Sequence, residues 1–227
     1  MKILSIDTSS SICGVSILEN ETLLGQWDTN TGRTHSERLM PMIKQALQEL
    51  NITLSDIDLI VVDKGPGSFT GIRIGISTVM AFRDSLNIPC IGISSLEALA
   101  YNTQSNYICS LIDCKNDNCY FALYEKNSVG IESLIEPQAE SLEGALSILK
   151  SYCEDSLESN PVITFIGDAS EIHVTKIKEF FPESELASHN ENVLNSYSLA
   201  LAGIKKFKEN QFDDILPLYL KKPQAQR

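Results

Sequence analysis

The chain has 227 residues, 43% of them apolar, which suits two lobes of about a hundred residues each and carries no composition signature of disorder. Lys and Arg number 18 against 30 Asp and Glu, a formal charge of −12, and that balance argues against unaided binding to nucleic acid. No apolar run approaches the roughly 20 residues that cross a bilayer, so no membrane partner is expected.

The first predicted elements form a hairpin. Ile3-Leu-Ser-Ile-Asp7 reads as a strand, Thr-Ser-Ser-Ser as a polar turn, and Cys13-Gly-Val-Ser-Ile-Leu18 as the returning strand. Thr34-His-Ser-Glu37 has the pattern of a capping box, opening a helix to about residue 50. Leu39, Ile43, Ala46, Leu47 and Leu50 recur at helical spacing, Met40 and Met42 widen that surface, and Pro41 falls inside. A strand over 58–63 runs into Lys64-Gly-Pro-Gly-Ser-Phe-Thr70. That glycine-rich bend opens a helix over 70–86 with Gly71 and Gly75 on one face. A short strand spans 89–93, and Ser94-Ser-Leu-Glu97 caps a helix ending near Tyr101.

Residues 103–107 form a polar joint, and then the hairpin returns. Ile108-Cys-Ser-Leu-Ile-Asp113, a turn Cys-Lys-Asn-Asp-Asn, and Cys119-Tyr-Phe-Ala-Leu-Tyr124 repeat the order strand, aspartate, polar turn, strand about one lobe later. Ser141 opens a helix with Leu142, Ala145, Leu146, Leu149, Tyr152 and Cys153 on one face. A strand over 161–166 leads through Gly-Asp-Ala-Ser to a helix ending at 181, and a last helix spans 196–208 before an extended basic tail over 216–227. The echoed hairpins predict a duplicated α/β architecture. The first lobe takes residues 1–103 plus about 192–227, with the C-terminal helix packing back, and the second takes 104–191.

Several constellations could carry chemistry. In two-lobed nucleotide-binding folds, aspartates placed like Asp7 and Asp113 hold magnesium-bound water near phosphates. The turns here lack the glycine that lets backbone approach phosphate, and the alternative is that both carboxylates accept turn hydrogen bonds. Gly65 and Gly67 either cradle an anion at the helix start or make a tight turn. The loop lacks the Gly-Lys-Ser or Gly-Lys-Thr ending of a P-loop. Ser9, Ser10, Ser68, Ser94 and Ser95 have no G-x-S-x-G elbow around them, and His35, His173 and His189 have no metal-ligand spacing. No cofactor or metal site of the chain's own is expected beyond these weak candidates. Six cysteines without a C-x-x-C pair, behind an opening Met1-Lys-Ile-Leu4 that does not read as a leader, fit a reducing cytosol.

The helices near 36–50 and 70–86 carry a different signal. A helix covering one side of a sheet needs one apolar stripe, and these two have more. The surplus predicts a second buried surface on a partner, with a deeper intramolecular core as the alternative. The residues marked for that surface are Leu39, Met40, Met42, Ile43, Leu47, Ile72, Gly75, Ile76, Val79, Met80 and Arg83.

I-D-T-S-S, T-H-S-E-R-L-M-P-M-I, G-P-G-S-F-T-G-I-R-I-G, I-S-S-L-E-A-L-A, I-D-C-K-N-D-N-C-Y and the closing P-L-Y-L-K-K-P-Q-A-Q together resemble the TsaB (YeaZ) family over essentially the whole chain. The resemblance implies the two-lobed actin-like ATPase fold, of ribonuclease H type, with duplicated mixed sheets flanked by helices. It implies a dimerisation subunit without catalysis of its own. Such a subunit acts in the cytoplasm with TsaD and TsaE to attach threonylcarbamoyl to adenosine beside the anticodon of tRNA. The first two helices would bind TsaD, or a second copy when the subunit is alone. ATP or ADP would bind only at a site shared with partners, and tRNA only through the complex. An active ATP-dependent kinase or ATPase is the alternative; the older glycoprotease label finds no support in the residues. The family often has Asp-Ala-Arg where this chain has Asp113-Cys114-Lys115, and a small residue where Lys64 stands.

Overall fold

In a computed structural model, the structure describes residues 1–30, 34–128, 130–157, 161–212 and 215–220. The strands are β1 (Lys2–Asp7), β2 (Cys13–Glu19), β3 (Thr22–Thr29), β4 (Leu59–Asp63), β5 (Cys90–Ile93), β6 (Tyr107–Asp113), β7 (Asn118–Lys126), β8 (Ile131–Ser141), β9 (Ile163–Ile166) and β10 (Glu185–Leu186). The helices are α1 (His35–Glu49), α2 (Phe69–Leu86), α3 (Ser95–Ala100), α4 (Leu142–Ser156), α5 (Asp168–Ile172), α6 (Val174–Phe180) and α7 (Ser196–Lys208). Two compact units result: Met1–Ala98 with Leu194–Leu218, and Leu99–Val193 together with Tyr219 and Leu220. The breaks fall after Ala98 and Val193, where the sequence reading placed them at 103 and 191, and Tyr219 and Leu220 group with the second unit although 192–227 was expected in the first.

Each unit is built on a five-stranded sheet, and the two sheets share one topology. The orders are β3-β2-β1-β4-β5 and β8-β7-β6-β9-β10. In both, the hairpin is antiparallel and the next two strands join parallel to its first strand. Parallel joining needs helical crossovers, which α1, α2 and α4–α6 supply.

In the first unit, Leu4, Ile6, Val15, Ile17, Ile60 and Val62 point to one sheet face and pack against Leu39, Ile43 and Ala46 of α1 and Ile72, Ile76 and Val79 of α2. The other face is covered by α7. There Ser16 Oγ lies 2.6 Å from Ser196 Oγ, and Gly203 sits against Val61. Both faces are therefore sealed, which is why β1, β2 and β4 read as nearly continuous apolar runs. In the second unit, Cys109, Leu111, Phe121, Leu123 and Phe165 pack against Leu142, Leu146 and Leu149 of α4 and Ile177 of α6.

Three expectations need correction. The capping box at Thr34 does not form: its hydroxyl turns to Ser36 Oγ at 3.1 Å, and the Glu37 amide is satisfied by the Thr34 carbonyl at 3.1 Å. The single helix expected up to 181 breaks at His173 into α5 and α6, directly before the β-branched pair Val174-Thr175. Edge strands β3 and β8 were not anticipated. Most of β3 is exposed and lacks strict alternation, while β8 contains Pro137 and pairs with β7 through register shifts. The extended basic tail lies outside the described residues from 221 onward.

Candidate functional site

The first unit gathers its polar side chains at the C-terminal ends of β1 and β4. Those strands pair in parallel with Ile6 opposite Val62, so Asp7 and Asp63 come out side by side. Both are buried, at 0% and 1% exposure. Asp7 Oδ1 accepts from the Ser9 amide and lies 2.8 Å from Ser9 Oγ. The same Ser9 Oγ lies 3.0 Å from Asp63 Oδ2. Asp63 Oδ1 accepts from the Gly65 amide and from Ser95 Oγ at 2.7 Å. Burial, and then the neighbouring Asp7, push Asp63 up to about 8. Burial also pushes Asp7 up, to about 6, against the lowering effect of its Ser9 bonds.

The glycine loop closes over this corner. The Ser68 amide donates to the Ser9 carbonyl at 2.6 Å, and the Ser95 amide to the Gly65 carbonyl at 2.9 Å. Ser68 caps α2 by accepting from the Gly71 amide. A side chain on Gly67 would stand 2.3 Å from the Ser9 carbonyl oxygen, and one on Gly71 would stand 1.9 Å from that of Thr8. The glycines thus admit the chain's own backbone. Thr8 Oγ1 donates to the Gly71 carbonyl at 2.7 Å, tying the turn to α2.

The Asp7 carboxylate is fully buried, and on the side where a Cβ would project, Gly67 and Gly71 face the carbonyl oxygens of Ser9 and Thr8. Of the weak candidates, Asp7, Gly65 and Gly67 come together here. Asp113 belongs to the second unit, where it is half-buried and accepts from the Lys115 amide at 3.2 Å. Among the described residues no group of His, Cys, Asp or Glu is arranged to hold a metal ion. Asp63 is the residue the sequence reading passed over, and Ser95, weighed there only as a nucleophile, serves here as its hydrogen-bond donor. The available signal was that the strand over 58–63 ends in aspartate as the first strand does.

The marked surface residues divide. Leu39, Met42, Ile43, Ile72, Gly75, Ile76 and Val79 are buried in the first unit's own core, so the stripes they form are spent on the sheet. That corrects their assignment to a partner surface. Four remain at the surface: Met40 at 48% exposure, Arg83, and the half-buried Leu47 and Met80. Phe69 joins them at 40%, with the Arg73 guanidinium 3.7 Å above its ring.

Two sheets of one mixed topology, each flanked by helices, define an actin-like ATPase fold of ribonuclease H type. The chain superposes on YeaZ from Pseudomonas aeruginosa with a TM-score of 0.81 at 23% identity, covering 96% of this chain and 99% of that one. Component A of the (R)-2-hydroxyglutaryl-CoA dehydratase of Acidaminococcus fermentans follows at 0.52 and 10% identity, over 91% and 98%. These likenesses concern the fold alone. The family model described as TsaD, tRNA N6-adenosine threonylcarbamoyltransferase, matches residues 25–226. The Bacillus subtilis tRNA threonylcarbamoyladenosine biosynthesis protein TsaB is 32% identical over 181 residues, 79% of this chain and 76% of that protein. The chain belongs to the TsaB family of tRNA threonylcarbamoyladenosine biosynthesis proteins, within the wider family that the TsaD model describes. Among the described residues no helix is long and apolar enough to cross a membrane.

Proposed function

We infer that this chain is a scaffold subunit without turnover of its own, working in the cytoplasm with TsaD and TsaE in threonylcarbamoylation of adenosine beside the anticodon. The observation that carries the reading is that α1 and α2 keep Met40 and Phe69 exposed after their inward stripes are satisfied, with Leu47 and Met80 half-buried at the edge of the core they pack on. The buried Asp7 carboxylate, committed to Ser9, supports the absence of catalysis. ATP or ADP then belongs to a site shared with partner subunits. The charge of −12 supports leaving tRNA to those partners. A second copy would use the same helix faces when TsaD is absent.

The test is Met40→Asp combined with Met80→Asp, assayed by co-purification with TsaD and by light scattering of the free chain. Met40 is exposed and Met80 packs partly on the core, so circular dichroism first selects folded protein, and the folded double variant is expected to lose TsaD. Buried anchors of this kind cost about 2 kcal/mol or more each in association when truncated. A folded double variant that still co-purifies with TsaD defeats the assignment.

A further inference from the structure

The hydroxyl of Ser9 stands between two buried carboxyl groups, 2.8 Å from Asp7 Oδ1 and 3.0 Å from Asp63 Oδ2. A hydroxyl has one proton and can donate to only one of them. The other contact is a hydrogen bond only if the carboxyl group there carries a proton and donates to Ser9. Two unprotonated carboxylates flanking one hydroxyl, both out of water, would leave one oxygen facing another with no hydrogen between them.

The neighbours decide which carboxyl is protonated. Asp63 Oδ1 is occupied by the Gly65 amide and the Ser95 hydroxyl, and the charged group acting on it is the negative Asp7. On the side of Asp7 lie His35 and Arg38 from α1, Asp28 from β3 and Cys13 from β2. The two bonds from Ser9 favour the ionised form of Asp7 more than the charges around it do, of which Asp28 opposes that form and His35, more weakly, favours it. Gly14 faces Asp7 across the hairpin, and a Cβ on Gly14 would stand 3.4 Å from the uncharged Ser196 Oγ of α7.

We propose that Asp63 and Asp7 share one proton through Ser9, running Asp63 Oδ2–H to Ser9 Oγ–H to Asp7 Oδ1, and that this proton latches the glycine loop to the end of β1. The latch goes beyond the scaffold reading and does not depend on it. Every member is tied to the loop or its anchors: Gly65 through Asp63, Ser68 through the Ser9 carbonyl, and Ser95 through the Gly65 carbonyl. Loss of the proton places two negative charges on either side of Ser9 in a site without water. The loop that begins α2 then has to open to let water in.

The linkage has a definite sign. Both carboxyls are raised above their ordinary 3.8, so the folded chain holds more protons than the unfolded one from about pH 4 upward. The latch therefore weakens as pH rises, and it is lost as Asp63 ionises near pH 8.

Infrared spectroscopy of the full chain, with the aspartates isotope-labelled and pH varied from 6 to 9, reads the proton directly. The wild type should have a protonated-carboxyl band at pH 7 that fades toward pH 9. Asp63→Asn, which keeps an acceptor for Gly65 and a donor for Ser9, should abolish the band. Its thermal midpoint should be less sensitive to pH than the wild type's over the same range. Asp7→Asn removes the neighbouring charge and should move the fading of the band to lower pH. No band in the wild type at pH 7, or a band that survives Asp63→Asn, overturns the proposal. If Asp63→Asn does not fold, the wild-type band and its response to Asp7→Asn decide alone, and an unchanged titration in Asp7→Asn refutes the shared proton.

Discussion

The closest approach in the first unit lies where α2 crosses the turn after β1, and Gly71→Ala tests it. A Cβ there would stand 1.9 Å from the Thr8 carbonyl oxygen, about 1.5 Å inside ordinary contact, and 3.1 Å from His35 Cδ2. The first obstacle is backbone. Thr8 is buried, bonded to the Gly71 carbonyl through its hydroxyl, and continuous with Ser9, whose carbonyl holds the Ser68 amide. It cannot retreat alone, so α2 must shift and carry Ile72, Ile76 and Val79 away from the sheet. Overpacking usually costs about 1–3 kcal/mol and occasionally more, and a clash with backbone that no side chain can relieve falls at the upper end, about 3–4 kcal/mol. Alanine returns about 1 kcal/mol in helix propensity. The net expectation is a loss of about 2–3 kcal/mol, which in a chain of this size lowers the thermal midpoint by about 5–10 °C. Gly75→Ala is the internal control. Its Cβ would meet the Thr8 hydroxyl at 2.6 Å and Val62 at 3.5 Å, so turning the Thr8 side chain relieves the clash at the cost of its bond to the Gly71 carbonyl, without moving backbone. Urea unfolding followed by Trp27, the chain's single tryptophan, reads the first unit in both variants. If Gly71→Ala is neutral, or Gly75→Ala is the worse of the two, the packing argument is wrong.

Two other expectations follow from buried charge and buried sulfur. Lys206 Nζ lies 3.2 Å from Glu97 Oε2, both side chains at 16% exposure, and burial raises Glu97 while Lys206 lowers it. Lys206→Met should cost about 1–3 kcal/mol at neutral pH, below the full price of a stranded charge because Lys64 and Lys205 still act on Glu97. The deficit should shrink as pH falls toward the raised pKa of Glu97, above its ordinary 4.5, and denaturant melts from neutral pH downward check it. For the thiols, Cys13, Cys109, Cys119 and Cys153 are buried and Cys90 and Cys114 half-buried, with Cys90 pushed up to about 11 by burial. Under native conditions a thiol reagent should reach Cys114 first, Cys90 slowly and the other four only on unfolding; mass mapping that finds Cys109 or Cys119 labelled early contradicts the burial.

The fold was legible where sequence periodicity and local punctuation agree. Ser196–Lys208, the paired hairpins ending in Asp7 and Asp113, and the helix after the glycine loop are all strongly patterned segments with caps or turns at their ends. Edge strands β3 and β8 were hidden because an edge buries too little of either face to alternate clearly. The partner surface was misread for a related reason. Apolar spacing marks which residues are inside, and it cannot say whether the inside belongs to this chain or another. Ile72, Ile76 and Val79 therefore looked like a surplus until the sheet was seen to use them. What distinguishes a docking face is apolar side chains off the stripe, and Met40 and Phe69 carry that signal.

The repeated topology puts the same corner into both units with opposite outcomes. In the second unit β9 lies parallel to β6 as β4 lies to β1, and the aspartate after it, Asp168, again reaches back to the first strand of the hairpin. Its Oδ1 accepts from the Asp113 amide at 2.8 Å. There the bond goes to backbone, which always has a proton to give, so no hydroxyl has to serve two acids. Gly167, at φ +109, makes the turn possible and leaves a side chain no room, since a Cβ would stand 2.1 Å from the Leu111 carbonyl oxygen. Asp113 itself stays half-exposed. One architecture thus offers two ways of closing the end of a hairpin, with an amide that needs no titration in the second unit and with a shared proton in the first. The first corner ties the start of α2 to a proton held between two acids, whereas in the second the carboxyl of Asp168, raised by burial at the start of α5, bonds to an amide that keeps its proton at any pH.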